Sequence, residues 1–364
     1  MLKKIVFFLI IFIIFSCSSD DDGSYEPIEN PPDNNGEEVS FEIDKVPYTT
    51  LSEYNFYEEN IANLKPIDRV VPYELISPLF TDYAKKKRFV WMPEDVSATY
   101  NSSDKVLDFP NSTILIKNFY YNNVQPNHQK RIVETRLMFK KDNVWEFANY
   151  IWNNQQTEAY LDLSGSTTLV EWTDENNNNR SVNYRIPSAT ECMVCHKSNE
   201  KPIPIGLKPH NLNKTFTYPT GEKNQLQQLV DVGYLNSYPG QIETVVDWEN
   251  ESGSLKNRVR SYLDINCAHC HSEGAHCDYR PLKLAYSETI DDINLGVCVE
   301  PDQYVASGLP YIVAAGKHER SMMFYRMNAT DEAVKMPLLG RTVVHQESVD
   351  LLSEWIDNIN QNCP

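Results

Sequence analysis

Ile186-Pro187-Ser188-Ala189-Thr190-Glu191-Cys192-Met193-Val194-Cys195-His196 is the stretch at which one kind of sequence gives way to another. Before it, from about Phe41 to Pro187, short runs of β-branched and aromatic residues alternate with Asn, Asp, Gly and Pro. Arg88–Met92, Thr113–Tyr121, Arg131–Phe139 and Thr167–Trp172 are such runs, and bounded in this way they predict strands. The polar segment Asp174-Glu175-Asn176-Asn177-Asn178-Asn179 before Ser181–Ile186 predicts a hairpin. Residues 41–187 are therefore expected to form a β-rich, sandwich-like domain. They contain no Cys, and His128 is their only His, so no separate active site is expected there. The patch Phe119, Tyr120 and Tyr121 reads as core.

Chemistry begins at Cys192-Met193-Val194-Cys195-His196 and recurs at Cys267-Ala268-His269-Cys270-His271. Both are C-x-x-C-H, the pattern of c-type haem attachment. Two thiols one helical turn apart can each add to a vinyl group on one porphyrin edge, and the adjacent imidazole reaches the iron. Two covalently attached haem c groups are thus expected, tethered by Cys192, Cys195, Cys267 and Cys270, with His196 and His271 on the irons. A zinc site built from both C-x-x-C pairs is a competing use of four thiolates, but it leaves a His after each pair unexplained. A thioredoxin-like dithiol would need a βαβ setting that neither motif has.

Leu255, Val259, Tyr262 and Leu263 recur at helical spacing just before Cys267, and Leu352, Trp355, Ile356 and Ile359 do so near the end, with Ser348 or Glu347 near that helix's start. Helix, C-x-x-C-H, loops, Met336-Pro337 and a final helix resemble, over about Ser254 to Asn362, the small all-α class I cytochrome c domain whose first and last helices cross. That resemblance implies Met336 as the second ligand of its iron, and a thioether there raises the potential relative to a bis-His iron. Met322, Met323 and Met327 read instead as core. No Met follows the first motif closely; His210 is the nearest polar candidate for its distal face. An unfilled face would leave that iron open to a small molecule.

Across roughly Pro47 to Ile359 the chain resembles a family of two-haem c-type cytochromes of bacterial envelopes, long catalogued as of unknown function. The residues carrying this are Pro72-Tyr73-Glu74-Leu75, Pro78-Leu79-Phe80-Thr81-Asp82-Tyr83-Ala84, Glu134-Thr135-Arg136-Leu137, Tyr150-Ile151-Trp152-Asn153, Ile186-Pro187-Ser188, both haem motifs, Asn224-Gln225-Leu226 and Met336-Pro337. The resemblance implies haem binding and electron transfer, and no substrate.

The first residues bear on the compartment. Lys3 and Lys4 precede an apolar run, Ile5 to Phe15, followed by Ser16 and Cys17. This reads as a lipoprotein export signal over 1–16, with Cys17 as lipid anchor, because the run is too short to span a bilayer. Residues 17–40 are acidic and Pro-rich, the composition of a solvated tether. An exported lipoprotein of the outer membrane or cell surface is expected, facing the periplasm or the exterior. A formal charge of -18, from 51 acidic and 33 basic residues, argues against nucleic acid as a partner. Of the remaining cysteines, Cys277, Cys298 and Cys363, a Cys277–Cys298 bridge with Cys363 unpaired is the first expectation.

The expected fold class is an α+β multidomain chain: the β-rich domain at 41–187, then a mostly α-helical c-type haem region with a first haem segment at 188–250 and a cytochrome c-like domain at 251–364. The expected function is electron transfer between redox partner proteins in the envelope. A dihaem peroxidase or oxidase with one open iron is the alternative, and a haem-stabilised surface adhesin a third reading with nothing specific behind it.

Overall fold

The runs rich in β-branched and aromatic residues do pair as strands, and they pair in chain order. The computed structural model describes residues 38–364; the expected export signal, Cys17 and most of the expected tether lie outside the described residues. β1 (Val71–Tyr73), β2 (Lys85–Trp91), β3 (Ile114–Val124), β4 (Gln129–Lys141), β5 (Val144–Trp152) and β6 (Ala159–Leu161) form an antiparallel path, each beside the next. β7 (Ser166–Thr173) and β8 (Asn179–Ile186) make the expected hairpin across the Asp174–Asn178 turn. It joins the sheet where Val124 of β3 meets Trp172, just past two register shifts in β3.

The expected two-sheet sandwich is not what forms. Successive strand residues point to opposite faces, and in the central strands both faces are apolar, so both must be covered. Phe89, Ile114, Ile116, Leu137 and Phe139 pack beneath an irregular segment carrying Leu51, Tyr54, Phe56 and Leu64. On the other side Val90, Leu115 and Met138 share a core with Leu207, Leu212, Leu226 and Ile265. The sheet is therefore one eight-stranded layer, and chain beyond position 200 covers one of its faces.

Nor is the region after Ser188 mostly helical. Its helices are short: α1 (Ala189–Cys195), α2 (Pro209–Leu212), α3 (Gln225–Asp231), α4 (Leu255–Asn266), α5 (Met322–Met327) and α6 (Gln346–Asp357). Two small ribbons interrupt them, β9 (Lys197–Ser198) with β10 (Lys201–Pro202) and β11 (Thr215–Tyr218) with β12 (Gly221–Asn224). Helical periodicity was present only at α4 and α6, which pack together through Val259, Tyr262, Leu263, Leu352, Trp355 and Ile356. Between Cys267 and Ser321, Pro281, Pro301, Pro310 and several glycines break any longer helix. The all-α cytochrome c-like domain is overturned on this ground, the segment between its two longest helices being mainly loop.

Residues 78–84 lock the sheet side to this loop-rich side. Phe80 donates its N–H to Asn266 Oδ1 at 2.8 Å and stacks on His345 with ring centroids 3.9 Å apart. Buried Asp82 accepts from the Thr342 and Val343 N–H groups at 2.7 and 3.0 Å and from the Thr342 hydroxyl at 3.0 Å. Burial raises its carboxyl above the ordinary aspartate value, against the pull of those donors. Gln225 makes a similar link, its amide bonding both the N–H and the C=O of Glu74.

The disulfide joins Cys298 to Cys363, and Cys277 is a free, buried thiol, the reverse of the pairing expected from sequence. Proximity along the chain favoured Cys277, but the last residues return to the core that holds Cys298. The bridge closes a separation of 65 residues, which in the chain-entropy picture constrains the unfolded state by about 4 kcal/mol. Cys363→Ser is expected to lower the unfolding free energy by about 2–4 kcal/mol in urea titration. An unchanged midpoint would show that the bridge does not restrain the folded chain.

Candidate cofactor site

The first motif is set by a helix start. Ser188 follows Pro187, which cannot continue the ladder, and caps α1: its Oγ accepts from the Glu191 N–H while Glu191 Oε2 accepts from the Ser188 N–H at 2.9 Å. Arg185 pairs with Glu191 and secures the box. On α1, Cys192 and Cys195 lie three residues apart and so share a face. His196 ends the helix, and the β9–β10 ribbon folds the chain back so that His196 Nδ1 donates to the Ile203 carbonyl at 2.9 Å. A carbonyl can only accept, so the proton sits on Nδ1 and Nε2 keeps its lone pair. This is the arrangement metal-binding imidazoles use.

The second motif follows α4, capped by Ser254, whose Oγ accepts from the Asn257 N–H. The Cys267 and His271 N–H groups continue the turn, donating to Leu263 O at 2.8 Å and Cys267 O at 3.0 Å. Burial lowers the pKa of His196 to about 3 and that of His271 to about 4, so both rings are neutral. His271 Nδ1 and His269 Nδ1 are buried without a hydrogen-bond partner.

Each motif opens on a cavity. One of about 280 Å³ is lined by Cys267, Cys270, His271, Met322, Met327 and Met336 among others. Met336, the sequence candidate, therefore comes to the same space as the second motif; its N–H donates to Arg326 O, and its carbonyl accepts from Arg341. The other cavity, about 140 Å³, is lined by Cys192, Cys195, His196, Met138, Phe147 and Lys117 among others. Its walls come partly from β3, β4 and β5, and the Phe147 ring lies 5.3 Å from that of His196. The two linings share Cys195, Asn266, His269, Pro337 and Leu339.

His210 lies apart from both linings. It is buried, with Nε2 3.3 Å from Asp264 Oδ2 but not aligned for a hydrogen bond, and Lys208 Nζ holds the other oxygen at 2.8 Å. Its place is in an ion cluster beneath α4, not over an iron.

Where the motifs meet, Cys195 Sγ, Cys270 Sγ and a ring nitrogen of His269 lie within 4.8 Å of one another. Hydrogen bonding from Cys270 holds the Cys195 thiol well below its ordinary value despite burial, while the Cys270 thiol is raised. Burial raises Cys192 and pushes Cys267 up to about 12. The four-thiolate site does not assemble, because Cys192 and Cys267 stay out of the cluster. Sequence reasoning passed over His269 as a spacer inside the motif and Met138 as an ordinary strand residue; nothing local to Met138 distinguishes it.

The lining of each cavity includes two cysteines of one motif, its neutral histidine and at least one methionine, the residue types that a c-type haem uses. The chain matches no family model, no curated protein and no solved structure.

Proposed function

We propose that this chain is a dihaem c-type cytochrome that carries electrons in a bacterial envelope. The supporting observation is that each C-x-x-C-H motif opens on a cavity whose lining also includes a methionine. Cys192 and Cys195 would tether one haem and Cys267 and Cys270 the other. His196 and His271 would offer neutral imidazoles, Met336 the sulfur for the second iron and Met138 that for the first. Haem iron, when bound, would supply one-electron chemistry, and the chain's part would be to hold the group through these residues.

The lipid on Cys17 would hold the protein at a membrane. Among the described residues no helix is long and apolar enough to cross one. The acidic surface would draw in basic redox partners at low salt.

A second reading comes from the Cys195–His269–Cys270 cluster, which offers three ligands of the kind zinc takes. One preparation separates the two: protein matured in a host with c-type haem attachment, assayed for haem by pyridine haemochrome and for zinc by elemental analysis. Two haems and no zinc are expected, with spectra unmoved by carbon monoxide. One zinc and no haem would overturn the cytochrome. Met336→Ala and Met138→Ala are each expected to make one haem, and a different one, sensitive to carbon monoxide.

A further inference from the structure

We infer that the sheet supplies the anchor for the acidic edge of the first haem: Lys117 and Arg136, backed by Arg88, bind its two propionate carboxylates. This rests on the dihaem reading above and gives the β-rich half a part in the site.

The strand register puts Tyr73, Arg88, Lys117, Arg136 and Asn149 directly opposite one another, one on each of β1 to β5. Neighbouring strands lie about 4.8 Å apart, so three basic side chains stand side by side across β2, β3 and β4. Like charges placed this way repel. A row of this kind is maintained where something negative meets it.

The carboxylates near the row are already engaged: Glu191, which lines the cavity, is held by Arg185 and the Ser188 N–H, and Glu134 is engaged as well. Fully buried, it pairs with Arg136 at 2.5 Å and accepts from the Tyr184 hydroxyl at 2.6 Å. Arg88 is only 7% exposed, and its Nη2 is buried with no partner. Lys117 Nζ sits 5.0 Å from the Phe119 ring centre, and among the described residues no hydrogen bond or ion pair holds it. Burial and the neighbouring Arg88, Lys86 and Arg136 drive its amine well below the ordinary lysine value.

Lys117 and Arg136 line the same cavity as Cys192, Cys195 and His196. A haem fixed there by its vinyl edge is an apolar plate whose only acids are the two propionates, and they need cations in a space with no free carboxylate of its own. Arg suits such a group through paired N–H donors, and Lys as a point charge.

The test uses the full chain, matured with haem, as Lys117→Met, a change that breaks no ion pair of the protein. The loss of a cation favours the oxidised, more positive iron. One haem's one-electron equilibrium is expected to shift about tenfold toward the oxidised form, or 59 mV, while the other stays put. The propionate bending bands in resonance Raman should move with it, and Lys117→Arg should restore both. Arg88→Met, remote from the thiols, should shift the same haem less. Two haems whose potentials and propionate bands ignore Lys117→Met would overturn the anchor and leave the cytochrome standing. A shift appearing in phosphate buffer but not in chloride would assign the row to a free anion instead. Absence of haem from the unsubstituted protein would overturn the cytochrome reading, and the anchor with it.

Discussion

Cys267→Ser combined with Cys270→Ser is expected to halve the haem content, from two covalent groups per chain to one. The second motif would keep His271 but lose both thioether tethers, and without them a haem is held by axial ligands and packing alone. Acid–acetone extraction followed by a pyridine haemochrome count gives the result directly. Single changes sharpen it. Under the metal reading Cys267→Ser would leave zinc untouched, since Cys267 is outside the Cys195–His269–Cys270 cluster, while Cys270→Ser would abolish it. Under the cytochrome reading each single change leaves one thioether and one free vinyl, and shifts the α-band of one haem. Cys277→Ser, outside both motifs, should leave the count at two. A double variant retaining two covalent haems would refute the assignment of this motif.

Asp264→Asn is expected to cost about 3–5 kcal/mol of stability, the range for removing one partner of a buried ion pair. Asp264 is 3% exposed on α4 and meets Lys208 Nζ at 2.8 Å, His210 Nε2 at 3.3 Å and the Tyr286 N–H at 3.0 Å. Burial pushes its carboxyl upward, but Lys208 and His210 outweigh this and hold it below the ordinary value. A group with a depressed pKa in the folded state stabilises above its unfolded value, near 3.9, and loses that stabilisation as pH falls below it. Urea midpoints measured from pH 7 down to pH 2 should therefore fall steeply below about pH 4 in the unsubstituted protein. They should fall less in Asp264→Asn, which has no carboxylate there to protonate. A loss under 1 kcal/mol at pH 7 would show that Lys208 and His210 find water or other partners when the charge is gone.

The resemblance motifs of the sheet half acquire physical roles once the chain is folded. Phe80 and Asp82 clamp α4 and the 342–343 segment, buried Glu134 pairs with Arg136 beside the cavity of the first motif, and Ser188 caps the helix that carries its thiols. These roles were not readable in advance, because each joins residues far apart in sequence.

Local chemistry was readable. The C-x-x-C-H pattern is contained within five residues, so its two copies stood out without any tertiary information. The strands and the helices α4 and α6 were also legible, since periods of two and 3.6 residues are set by the backbone. What folding alone decided was which faces meet. The apolar character of both sheet faces called for a cover, but only packing chose residues beyond 200 to provide it and replaced the expected sandwich and helical haem domain by one layer with loop-rich chain against it. The same choice brought Met138, Lys117 and Arg136 to the first motif, sent His210 to Asp264, and closed Cys298 on Cys363 instead of Cys277. Such pairings depend on strand register and on the path of loops punctuated by Pro and Gly, and neither is encoded in any short stretch of the chain.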